Sequence, residues 1–72
     1  MIRDSSSAIL HQVEGLGYAV SVHHMGRYVE LHAVHLSGDG IPHVARCEGD
    51  GEQELRLAAC ALAEMVGLRL DG

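Results

Sequence analysis

YAVSVHHMGRYVELHA, residues 18–33, alternates apolar and polar side chains on either side of a Gly-Arg dipeptide. Tyr18, Val20 and Val22 alternate with Ala19, Ser21 and His23; Val29, Leu31 and Ala33 alternate with Tyr28, Glu30 and His32. A period of two means a strand whose two faces differ, so the stretch predicts two strands. Gly26 is placed for the first central position of a two-residue type II′ hairpin, with Met25 opposite Tyr28. That turn sets Val20 against Ala33, Val22 against Leu31 and His24 against Val29 on one side of the ribbon. The other side receives Ser21 opposite His32 and His23 opposite Glu30, with His23 and His32 as diagonal neighbours. A slip of one residue would mix the two faces.

Working outward, Ser37-Gly38-Asp39-Gly40 is turn chemistry, and Ile41-Pro42 leads to a third strand near residues 43–47. Pro42 belongs at a strand start or on an edge. Pairing this strand back with Ala45 at Ala33 and Cys47 at Leu31 would put Arg46 beside His32, Val44 beside Val34 and His35 opposite His43. Before the hairpin, Asp4, Ser5 and Ser6 offer caps for a helix over about residues 7–16, its stripe made by Ile9, Leu10, Val13 and Leu16 and its end marked by Gly17. After the strands, Asp50 and Gln53 suggest a capping box, with Glu52 and Glu54 favouring the positive end of the helix dipole. Leu55, Ala58, Ala59, Leu62 and Val66 then form the buried stripe of a second helix that stops at Gly67.

The expected fold is α+β: an α-β-β-β-α two-layer sandwich, a three-stranded antiparallel sheet with both helices packed on one face. The 72 residues are read as one small domain with its core over about residues 6–68. Apolar residues make up 47% of the chain but only two are aromatic, so the core must be small and aliphatic. Such a core rarely supplies more than about 3–5 kcal/mol, which makes metal, a disulfide or self-association a natural supplement. Ten acidic against five basic side chains give a net charge of −5, which argues against nucleic acid as a partner. Six histidines make that charge sensitive to pH below roughly pH 6. Cys47 and Cys60 are too few and too unpatterned for a disulfide framework. The first residues lack an apolar leader core, and no apolar run is long enough to cross a membrane. A soluble, cytoplasmic chain with no membrane association is expected.

This order of elements resembles the double-stranded-RNA-binding domain. The likeness rests on Leu16-Gly17-Tyr18 at the end of the first helix, the meander Val29-Glu30-Leu31-His32-Ala33-Val34, and the alanine-rich Ala58-Ala59-Cys60-Ala61-Leu62-Ala63. The family grips phosphates with a lysine-rich start to its second helix. Glu52, Gln53 and Glu54 stand there in this chain. The resemblance therefore implies a member that has lost the RNA-binding residues and works as a protein-interaction module.

No catalytic residues are identified. His23, Glu30 and His32, with Arg46 set beside His32 by the expected third-strand register, form the one polar cluster the strand geometry predicts; two imidazoles and a carboxylate can ligate Zn²⁺, and they equally suit a solvated sheet face with a cross-strand His–Glu pair. His35 and His43 flank the second turn, as an edge metal pair or as histidines bonded to backbone. Cys47 is expected to face the core and Cys60 to sit at the boundary of the second helix's buried side. Gly38-Asp39-Gly40 and Gly49-Asp50-Gly51 lack calcium-loop spacing and are turns. Leu57, Ala61 and Met65 form a second apolar line on the second helix; with Val34 and Val44 on the open sheet face they make a candidate contact surface. The expected function is a small non-enzymatic module that binds a protein partner or a second copy of itself. The alternatives are a histidine-based metal- or pH-responsive domain, with zinc the cofactor considered, and residual binding of double-stranded RNA.

Overall fold

The computed structural model describes residues 5–38 and 40–69. Asp4, one of the three candidate caps, Asp39 in the second turn, and the leader reading of residues 1–4 lie outside them. The elements follow the expected order: α1 (Ser6–Gly15), β1 (Tyr18–His24), β2 (Tyr28–His35), β3 (His43–Glu48) and α2 (Glu52–Met65). The sheet is antiparallel throughout with strand order β1-β2-β3, so β2 is central and both β1 and β3 are edges. This α-β-β-β-α arrangement is compatible with the double-stranded-RNA-binding fold.

The first hairpin has the register the alternation predicts, from Tyr18 opposite His35 to His24 opposite Val29. Gly26 takes a φ of 90°, Arg27 stays at negative φ, and the Met25 N–H donates to the Tyr28 carbonyl at 2.9 Å. That sign pattern belongs to a type II′ turn. The second hairpin differs from expectation by two residues: Ala45 pairs with Leu31, Cys47 with Val29, Arg46 with Glu30 and Val44 with His32. An even shift keeps every side chain on its expected face. The expected register would have set Glu48 opposite Glu30, and like charges directly across a sheet repel. The observed one puts Arg46 there and leaves Glu48 opposite Tyr28.

The helix starts are also reassigned. Ser5 caps α1, its Oγ accepting from the Ala8 N–H at 3.2 Å, and the helix begins one residue earlier than the spacing suggests. Leu16 becomes the C-cap residue and is exposed rather than part of the buried stripe; Gly17 follows with a φ of 97°. At α2 the N-cap is Gly51, with no side-chain bond, in place of the expected Asp50–Gln53 box. The acidic side chains of the first turn are used differently: Glu54 folds back over Gly49 and Gly51, and Glu52 reaches α1. The Glu52 carboxylate accepts from the Ser6 N–H at 2.9 Å and from the Ser6 Oγ–H at 2.8 Å. One side chain thus sits at the positive end of two helix dipoles.

α2 packs on β2 and β3, while α1 packs on α2 and β1. The fully enclosed core is Ile9 and Val13 of α1, Val29, Leu31 and Ala33 of β2, Ala45 of β3, and Ala58, Ala59, Leu62 and Ala63 of α2. Alanines let the α2 backbone approach the sheet closely, and the body is thin, 31 × 28 × 15 Å. Cys47 and Cys60 are free thiols, both half-buried against this core. Two substitutions test the packing by chemical denaturation. Leu31→Ala should cost about 2–5 kcal/mol, comparable with the whole stability of so small a core. Ala59→Leu, which adds volume where α2 meets its neighbours, should cost about 1–3 kcal/mol.

Candidate functional site

The open sheet face carries a connected polar system centred on Glu30. Its Oε1 lies 3.0 Å from His32 Nε2, and its Oε2 accepts from Arg46 Nη2 at 2.7 Å and Nε at 3.1 Å. The Arg46 guanidinium also sits 4.6 Å from the centre of the Tyr28 ring, a cation–π arrangement. The His23 ring lies 4.4 Å from that of His32, tilted by 48°, and its Nε2 is 3.0 Å from Ser21 Oγ. Hydrogen bonds from His32 first and Arg46 second hold the Glu30 carboxyl below its ordinary value of 4.5.

The strands therefore bring His23, Glu30 and His32 together as predicted, with Arg46 on Glu30 rather than beside His32. Glu30 Oε1 and His32 Nε2 are turned to each other, Glu30 Oε2 to Arg46, and His23 Nε2 to Ser21. Among the described residues no group of three or more His, Cys, Asp or Glu is arranged to hold a metal ion. Towards the other end of the same face the polar character gives way to exposed Val34, across from Ala19, and exposed Val44. The two-residue shift puts Val44 diagonal to Val34, not directly beside it.

On the helix side of the sheet's far end, Tyr18 meets His35 edge-on at 5.1 Å and His43 at 5.9 Å. His35 and His43 do not face each other as expected, because His43 pairs with Ala33. His35 Nδ1 instead accepts from the Ser37 backbone N–H at 3.2 Å and lies 2.7 Å from Ser37 Oγ.

The second apolar line on α2 divides. Leu57 and Met65 are 58% and 47% exposed, but Ala61 is half-buried against the core. A surface that pattern reading missed lies between α1 and β1. There Leu10, Val20, Val22 and Leu55 line a cleft of about 420 Å³ together with the polar Ser6, Ser7, His11, Glu14 and His24. Alternation had assigned Val22 to the buried side; it is 39% exposed. The available signal was length, since a ten-residue α1 that also packs on α2 is too short to cover a seven-residue edge strand.

At the start of α2, where the resemblance would place phosphate contacts, Glu52 is engaged with Ser6 and Glu54 lies over the preceding loop. The Ser6 N–H and hydroxyl hold the Glu52 carboxyl below 4.5, with Arg56 adding a smaller pull in the same direction. No helix among the described residues is long and apolar enough to cross a membrane. No family model, curated protein or solved structure matches the chain.

Both lowered carboxyls bind fewer protons in the folded than in the unfolded chain. Their stabilisation is complete above pH 4.5 and is lost as pH falls below it. Thermal melts across pH should therefore show stability dropping below that point, with a shallower drop in Glu30→Gln and in Glu52→Gln. An acid limb unchanged in both variants would contradict this account.

Proposed function

We propose that this chain is a non-enzymatic module that binds a protein partner or a second copy of itself. The observation that supports this reading is the apolar surface left over once the core is complete: Val22, Val34, Val44, Leu57 and Met65 all remain substantially exposed. Monomeric proteins expose single apolar side chains freely, but contiguous apolar patches mark contact surfaces. Here Leu10, Val20, Val22 and Leu55 line one cleft.

Duplex RNA is the weaker reading. A two-residue turn replaces a reaching hairpin loop, and the carboxylates at the start of α2 oppose phosphate. A gel-shift assay with duplex RNA at low salt should show no complex.

The close, tilted His23–His32 pair and its Glu30 partner favour one second reading, a metal- or pH-responsive face. Calorimetric titration with Zn²⁺ separates it from the first: uptake lost in His32→Gln would support it, and no uptake by the native chain would dispose of the metal form.

Size-exclusion chromatography with light scattering, from about 10 µM to 1 mM, tests self-association directly. A mass rising above 7.7 kDa is expected. A mass fixed at that value would leave only a heterologous partner.

A further inference from the structure

The two sheet edges are built differently. In the first hairpin the bonds from Met25 N–H to the Tyr28 carbonyl and from Leu36 N–H to the Gly17 carbonyl mark hydrogen-bonded pairs. Such pairs recur at every second residue of an antiparallel ladder. The backbone groups of Ala19, Ser21 and His23 are therefore turned to β2, and those of Tyr18, Val20, Val22 and His24 to the free edge. The same reasoning from the Gly49 N–H bond to the Arg27 carbonyl turns Val44, Arg46 and Glu48 outward on β3.

Proteins guard free edges with proline and with charged side chains. β3 has both, in Pro42 just before it and in Arg46 and Glu48 along it. β1, YAVSVHH, has no proline, lysine, arginine or carboxylate in seven residues, and its helix-side residues Val20 and Val22 border the open cleft.

We propose that β1 pairs antiparallel with β1 of a second copy, about a two-fold axis through Ser21 perpendicular to the sheet. This rests on the self-association reading above and names its surface. Ser21 is the centre of Tyr18–His24, so this axis overlaps all seven residues. It sets Val20 against the partner's Val22 and Tyr18 against the partner's His24. Each such pair joins outward-turned backbone groups to outward-turned groups, for about eight N–H to carbonyl bonds. A register offset by one residue would oppose outward groups to inward ones and place the helices on opposite faces.

Side chains agree with the backbone. On the helix side the valines of both copies meet and extend the apolar lining of Leu10 and Leu55 across the seam. On the open side Ser21 meets the partner's Ser21, and Ala19 the partner's His23. No carboxylate lies on β1, so the strand-to-strand pairing itself opposes no acidic side chains, and Glu14 borders the cleft from α1 with His11 beside it. The product is a continuous six-stranded sheet with four helices on one face.

Light scattering and residue-resolved amide exchange on the full chain test this without relying on a variant. As concentration rises, the mass should move towards twice 7.7 kDa. The Val20 and Val22 amides should slow at least about tenfold, while those of Val44 and Arg46 stay fast. Val22→Lys should hold the monomer mass with an unchanged circular dichroism spectrum, and Val44→Lys should behave as wild type. Val20 and Val22 amides that exchange equally fast at all concentrations would overturn the β1 seam. If the mass still rises and Leu57→Lys abolishes the rise, the seam is wrong and self-association through α2 stands. A mass fixed at one chain overturns both.

Discussion

β2 is bonded along both of its sides, and it supplies three fully buried side chains, Val29, Leu31 and Ala33, at alternate positions. The period-two geometry of that strand forces the complementary set, Tyr28, Glu30, His32 and Val34, onto the opposite face. Core and open surface are therefore one decision. Any change that shifted β2 by a single residue would bury Glu30 and expose Leu31 together, at a cost no helix contact in so small a protein could offset. The helices respond to this constraint: α2 lays its alanines over β2 and β3, and α1 takes what remains beside β1.

Electrostatics is spent internally to an unusual degree for a chain with an excess of acid. Glu30 ties β2 to β3 through Arg46, and Glu52 ties α2 to α1 through Ser6. Neither carboxylate is available as free surface charge in the way a count of acidic residues suggests. Beside the remaining acidic residues, the surface offers exposed aliphatic side chains, imidazoles and the backbone of an edge strand.

Most of the layering was legible in the sequence because it depends on local rules. Alternation around Gly26-Arg27 located the first hairpin and its register, and the spacing of Leu55, Ala58, Ala59 and Leu62 located the buried side of α2. What escaped depends on residues distant in the chain. The β2–β3 register turned on Glu30 avoiding Glu48, a preference no turn motif encodes. The role of Glu52 required knowing that the two helices start side by side. The cleft along Val22 required knowing how far α1 reaches. For the candidate site the same division holds: His23, Glu30 and His32 were placed together by strand parity, whereas the orientation of their ring nitrogens and oxygens, which sets what they can hold, was not readable.

The Ser6–Glu52 contact spans 46 residues of chain, and this has a consequence for biosynthesis. At roughly 5–20 residues per second, the ribosome adds Glu52 about two to nine seconds after Ser6. Until then the nascent first helix has neither its carboxylate anchor nor the alanine surface that shelters Ile9 and Val13. A ten-residue segment of that kind is only marginally helical alone. The first helix is thus synthesised ahead of the elements that hold it and completes its packing only once α2 has been made.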